Sequence, residues 1–151
     1  MKIVISLAFI FLFSINVQSQ ELLDKRKAAI DKYSKAQNSK LAFDKIITGI
    51  GDNPFRMLVY TFNATQAAKN GVYEMTFHLE DGKCFRYLIA YNSNNYKAPL
   101  IRKFDAPGSG LKRENEKLVW KNKSKKFEIS MADTRKGSIQ AAMFMLVISK
   151  I

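Results

Sequence analysis

The sequence predicts an α+β protein, in which an N-terminal helix or helix pair packs on a curved antiparallel sheet of about six to seven strands. Two observations predict this class. Residues 21–37 carry apolar side chains at helical spacing, whereas the later segments alternate apolar and polar residues with a period of two. Helices followed by a run of strands favour an α+β architecture.

Residues 1–19 have the pattern of a cleavable signal peptide. Lys2 precedes an apolar run over residues 3–13, which is too short to span a bilayer but fits the hydrophobic region of such a peptide. We therefore expect cleavage near Ser19-Gln20 and export, either to the periplasm or out of the cell. The remaining residues 20–151 are expected to form one domain without an integral membrane span.

The chain is strongly basic. It has 25 Lys and Arg residues against 13 Asp and Glu, a formal net charge of +12, and loss of the signal peptide removes only the charge of Lys2. Such a field attracts anionic partners, which here means an anionic macromolecule or an acidic protein. Cys84 is the single cysteine, so no internal disulfide can form, and a hydrophobic fraction of 47% excludes a disordered chain.

Two helices are expected at the start of the mature chain. The first covers residues 21–37. The second is indicated by Phe43, Ile46, Ile47 and Ile50, whose spacing of three and four places them on one helix face. The glycines and the proline that follow would end it.

The predicted strands come next, joined by a polar connection over residues 65–71 and a loop over residues 106–110. Pro99 would confine one strand to an edge or a bulge. The strands are residues 55–62, 72–80, 83–92, 96–104, 118–121 and 126–131, and then an apolar run over 139–148. That last run fits a central strand, although a buried helix starting at Ser138 has the same apolar pattern. If the run were instead exposed, it would be a docking edge.

The hairpin around Asp81-Gly82 has a predicted register. A three-residue loop with Gly82 left-handed pairs Phe77 with Phe85 and Met75 with Tyr87, which gives one continuous apolar face. A two-residue loop would place Phe77 opposite an arginine and mix the two faces. We therefore favour the longer loop.

This register also brings His78 opposite Cys84, on the face away from the core. A cysteine beside a histidine can form a nucleophilic thiolate, and Glu74 or Glu80 could orient the imidazole ring. A lone thiol in an oxidising compartment, in the middle of a strand, argues against catalysis. We therefore favour an inert cysteine and a protein that is not an enzyme. One histidine and one cysteine do not form a recognisable metal site, and no cofactor motif is present.

Basic residues are concentrated in the second hairpin and the segment before it. Lys121 is expected opposite Lys126, where like charges would repel and an anionic partner would relieve the repulsion. Trp120 is expected to lie opposite Phe127 and to turn into the core. The predicted binding residues are Lys112, Arg113, Lys121, Lys123, Lys125 and Lys126.

The sheet interior offers an alternative function, because a curved face could enclose a small apolar ligand. Its predicted lining is Tyr73, Met75, Phe77, Tyr87, Ile89 and Tyr91. The sequence thus favours an exported, non-enzymatic binding protein with an anionic partner. The alternatives are a carrier of an apolar small molecule and, third, a small hydrolase-type enzyme using His78 and Cys84.

Overall fold

The computed structural model describes residues 22–49, 53–114, 117–133 and 144–151. The predicted signal peptide and residues 139–143 of the final apolar run lie outside the described residues. Within them the protein is α+β, with one antiparallel sheet of eight strands and a few short helices. The strand count is therefore slightly higher than the six to seven predicted.

The helices are short and lie between or before strands. They are α1 (Lys27–Ala36), α2 (Ala64–Asn70) and α3 (Lys97–Asp105), with a 3-10 turn at Asn94–Tyr96 before α3. The strands are β1 (Lys40–Ile47), β2 (Phe55–Thr61), β3 (Val72–Glu80), β4 (Lys83–Tyr91), β5 (Lys112–Arg113), β6 (Val119–Asn122), β7 (Phe127–Asp133) and β8 (Phe144–Lys150).

The sheet consists of two meanders that meet at its centre. Its order is β1-β2-β3-β4-β8-β7-β6-β5, so β8 lies between β4 and β7. The prediction of a central final strand is confirmed for the part of the run that the structure describes. Because it is central, β8 is not a docking edge. The edge strands are β1 and β5.

The N-terminal helix is confirmed as α1, but the second predicted helix is wrong. Residues 40–47 form strand β1 instead, paired along β2. The pairing shifts between Leu41 and Phe43, so Ala42 forms a bulge that breaks the alternation along the strand. The helical spacing of Phe43, Ile46 and Ile47 has another cause: beyond the bulge the pairing is regular, so Phe43 and Ile47 lie on one face of the strand and Ile46 on the other. The β-branched pair Ile46-Ile47 favours a strand.

The segment around Pro99 was predicted as a strand and is the helix α3. Pro99 is its third residue. In the first turn of a helix the backbone N–H groups have no partner within the helix, so a proline costs nothing there. The predicted polar connection over residues 65–71 also contains a helix, α2, which is capped by the side chain of Asn63 and ends at left-handed Gly71.

The first hairpin has a different register from the predicted one. Asp81 and Gly82 both have positive φ and form a two-residue turn, so Glu80 pairs with Lys83. A bulge then shifts the pairing by one residue, and Phe77 lies opposite Tyr87 rather than Phe85. Because of the bulge, the hairpin can have a two-residue turn and still keep its apolar side chains on one continuous face.

One face of the sheet carries the hydrophobic core, which we call the inner face. Its buried side chains include Phe77, Tyr87, Trp120 and Ile129. The helices cover this face, since Ile30 of α1, Ala67 of α2, and Leu100 and Phe104 of α3 belong to the same core cluster. The opposite, outer face of the sheet carries half-buried and exposed side chains along the same strands.

Candidate functional site

His78 and Cys84 do not meet. The two-residue turn places Cys84 opposite Leu79 on the inner face, and the bulge that follows places His78 opposite Arg86 on the outer face. The Cys84 thiol is buried and donates to the backbone carbonyl of Arg86 at 3.4 Å. Burial raises the pKa of this thiol to about 12. The predicted juxtaposition is therefore wrong, and Cys84 is a protonated core residue.

The His78 ring packs into an aromatic cluster on the outer face. Its centroid lies 4.8 Å from that of Phe55 and 6.1 Å from that of Phe85. Burial, and to a lesser extent the charge of Arg86, lower the pKa of His78 to about 4. The imidazole is therefore neutral at physiological pH, and its neighbours are aromatic rather than nucleophilic.

The register of the second hairpin also differs from the predicted one. Lys121 lies opposite Glu128, not Lys126, and Trp120 lies opposite Ile129, not Phe127. The Nζ atom of Lys121 is 2.6 Å from the Glu114 carboxylate and 4.0 Å from that of Glu128. Lys121 is thus neutralised within the fold, and the predicted repulsion from Lys126 does not exist. Trp120 is fully buried, as predicted.

Arg113 has a structural role. It donates to the carboxylate of Asp105 at 3.1 Å and to the backbone carbonyl of Lys117 at 3.0 Å. Its guanidinium carbon also lies 5.4 Å from the centroid of the Trp120 ring. Lys112 is exposed and lies opposite Lys121 on the outer face. The six predicted binding residues therefore separate into different environments.

Three of the six remain together on the turn between β6 and β7. Lys123, Lys125 and Lys126, which we call the lysine turn, are all exposed. None of them forms an ion pair with a carboxylate in the part of the chain that the structure describes. Lys123 is close enough to contribute to the lowered pKa of Glu114, although the hydrogen bond from Lys121 is the main cause.

The backbone of the lysine turn is held in place from both sides. Asn122 is buried, and its side-chain oxygen accepts hydrogen bonds from Lys125 N at 2.9 Å and Ser124 Oγ at 2.8 Å. The carbonyl of Lys126 accepts from the backbone N–H of Ile151 at 3.1 Å. The three ammonium groups are therefore presented from a fixed loop.

The edge strand β1 is a surface that sequence reasoning missed, because it was assigned to a helix. Ile46 is 71% exposed and Leu41 44% exposed, which are large values for apolar side chains in a strand. A sequence signal was present in the β-branched Ile46-Ile47 pair, but apolar side chains on both faces of the strand hid the period of two.

Charged side chains fix β1 against its neighbours. Arg56 of β2 binds the Asp44 carboxylate in bidentate fashion, at 2.7 and 2.8 Å. Lys27 of α1 lies 2.7 Å from Asp31 and 4.0 Å from Asp44, and the Tyr60 hydroxyl donates to Asp31. Burial would raise the pKa of Asp31, but the hydrogen bonds from Lys27 and Tyr60 outweigh it and lower that pKa.

The inner face is filled at the positions predicted to line a pocket. Five of the six residues, all except half-buried Tyr73, are packed in the hydrophobic core. On α1, the hydroxyl of Ser34 is buried and forms no hydrogen bond with any described residue.

The described ranges contain no group of three or more His, Cys, Asp or Glu side chains that could hold a metal ion. Within the same ranges, no helix has both the length and the apolar character needed to cross a membrane. No family model, curated protein or solved structure matches the chain.

Proposed function

We propose that this protein is an exported, non-enzymatic binding protein that engages an anionic macromolecule through the lysine turn. The observation that carries the proposal is the presentation of Lys123, Lys125 and Lys126 on a turn with a fixed backbone, without ion-pair partners among the described residues. A turn whose backbone is already fixed loses little conformational freedom on binding a polyanion. The net charge of +12, of which the signal peptide would carry only the charge of Lys2, adds long-range attraction.

The test is elution from immobilised heparin in a salt gradient. We expect the variant with Lys123, Lys125 and Lys126 all changed to Gln to elute at clearly lower salt than the parent protein. The dependence of log affinity on log salt should become shallower by about one unit for each lysine replaced, because each of these lysines would neutralise one anionic group of the polymer.

The matched control replaces Lys25, Lys32 and Lys35 by Gln. These lysines are also exposed, and the change in net charge is the same. The control variant should elute close to the parent protein. Equal shifts for the two triple variants would mean that heparin senses only total charge and would refute a site at the lysine turn.

A second candidate function is carriage of a small, mainly apolar molecule inside the fold. The buried hydroxyl of Ser34, which has no hydrogen-bond partner among the described residues, favours it, because a polar atom of a ligand would satisfy that group. Such a ligand would lie beside α1 rather than on the predicted lining. Native mass spectrometry of the protein purified from its own source tests this function, since a carrier retains a bound mass and an empty protein does not.

A further inference from the structure

As far as the structure describes the chain, the sheet has one long open edge. β1 runs over eight residues and has a single neighbour, β2, among the described residues, whereas β5 at the other edge has only two residues. Half of the backbone N–H and C=O groups of an edge strand point away from the sheet and can pair with another extended chain. An added strand of useful length therefore fits at β1.

Apolar side chains are available on both faces of this edge. Leu41 and Ile46 lie opposite Tyr60 and Arg56, toward the inner face, and Ile46 is the most exposed of the large apolar residues in the described ranges. Half-buried Phe43 lies toward the outer face. A strand added here would bury apolar surface above and below the new backbone hydrogen bonds.

The charge of β1 indicates which kind of extended segment would bind there. Asp44 is the one carboxylate in β1, and Arg56 and Lys27 already neutralise it. Lys40 and Lys45 are exposed and form no ion pair with a described carboxylate, so the strand presents net positive charge. An acidic segment would form favourable pairs across the new strand boundary, whereas a second copy of this chain would bring like charges together.

We propose that β1 is a docking edge that takes up an extended, acidic segment of a partner protein as a ninth strand of the sheet. The site is independent of the lysine turn, which belongs to the other half of the sheet. The network of Asp44 with Arg56 and of Asp31 with Lys27 and Tyr60 holds β1 in position before binding. Little rearrangement of this protein is therefore required.

The probe is an end-blocked peptide of eight residues that alternates Glu and Val, and binding to the full chain is followed by fluorescence polarisation in low salt. A second peptide has the same side chains, with the backbone nitrogens of its central residues all methylated, so that neither edge of the peptide retains its N–H donors. Methylation removes the N–H donors but leaves the charge unchanged. We expect methylation to weaken binding at least ten-fold, and equal binding of both peptides would overturn the proposal.

Two pairs of variants locate the peptide on the protein. Ile46→Glu and Lys45→Glu should each weaken binding at least ten-fold. Their controls are Ile151→Glu, at another exposed apolar residue, and Lys125→Glu, in the lysine turn. Both controls should bind within about two-fold of the parent protein after correction for the change in net charge. Circular dichroism verifies that each variant is folded, and unchanged binding by folded Ile46→Glu would refute the site.

Sedimentation of the protein without peptide tests whether a second copy of this chain, rather than a partner segment, occupies β1. A monomer supports the proposal, whereas a dimer that Ile46→Glu dissociates would show that a second copy occupies β1 and would overturn it. Because Lys125→Glu alters only the lysine turn, failure of heparin binding and failure of peptide binding can be told apart.

Discussion

The indole Nε1 of Trp120 donates a hydrogen bond of 2.7 Å to the carboxylate of Asp105. Trp120 lies in β6, and Asp105 is the last residue of α3. The Trp120 ring also packs edge-on against Phe104, with the centroids 5.0 Å apart. The fully buried Trp120 side chain thus holds the end of α3 against the inner face, and its one polar group, the indole N–H, has a hydrogen-bond acceptor.

Asp105→Ala should destabilise the fold by about 1–2 kcal/mol, because it leaves the buried Trp120 N–H without an acceptor. Asp105→Asn keeps an acceptor oxygen and loses only the ion pair with half-exposed Arg113, so its cost should be about 0.5 kcal/mol. Urea unfolding measures both. In a Trp120→Phe background, which lacks the N–H, the two variants should differ little. If Asp105→Ala and Asp105→Asn differ as much in the Trp120→Phe background as in the parent protein, the loss of stability comes from Arg113 and not from the Trp120 N–H.

Two left-handed glycines should differ sharply in their tolerance of alanine. Gly71 and Gly82 have φ of 71° and 74°. A Cβ at Gly71 would lie 2.2 Å from the Tyr96 ring, whereas a Cβ at Gly82 meets nothing within 4 Å. We expect Gly82→Ala to cost about 1 kcal/mol from backbone strain alone and Gly71→Ala about 3 kcal/mol, measured by urea unfolding. Equal losses would contradict the steric explanation.

The strands β2, β3 and β4 could be predicted closely from the sequence, because each alternates over seven or more residues with one face in the core. The pairings were less predictable. Phe77 meets Tyr87 only because a bulge at Phe85 follows a two-residue turn. No apolar pattern contains that information, because the bulge leaves the inner face intact.

The same limitation affected the candidate site. The lysine turn was predicted, but the separation of Lys121 and Arg113 from it depends on register and on Asp105, which is distant in sequence from the lysine turn. The edge at β1 was missed, since an edge strand that is exposed on both sides needs no alternation. A period of two is produced by one-sided burial, and β1 has little of it.

Stability should fall as the pH is lowered from 6.5 toward 4. The unfolded chain takes up a proton on His78 at its ordinary pKa of 6.5, whereas burial in the folded protein lowers that pKa to about 4. Between these values the unfolded state binds more protons, so acid favours unfolding. Allowing for partial exposure of the ring, we expect a loss of about 1–2 kcal/mol from this group. Urea unfolding of His78→Gln at pH 7 and pH 5 should show a smaller difference than the parent protein, and an equal one would contradict the assignment.

The Cys84 thiol should react slowly with iodoacetamide at pH 7.5. Burial leaves it protonated and inaccessible, so we expect labelling of the native protein to be about 100-fold slower than labelling in urea. His78→Ala should not slow the native rate, since the two side chains lie on opposite faces of the sheet. Labelling is measured by mass spectrometry. Fast labelling that depends on His78 would restore the case for an enzyme.

Asn122→Ala should weaken heparin binding although it removes no charge. The Asn122 side chain holds Lys125 N and Ser124 Oγ, and without it the lysine turn loses its internal support. Binding would then carry the cost of ordering the loop, so we expect a loss of about two- to five-fold in affinity. Ser124→Ala removes only one of the two hydrogen bonds and should have a smaller effect. Because Asn122 is buried, unfolding in urea must be measured beside the affinity. If Asn122→Ala is folded and elutes at the same salt concentration as the parent protein, the fixed backbone contributes nothing to heparin binding. The three lysines would then bind heparin through their charge alone.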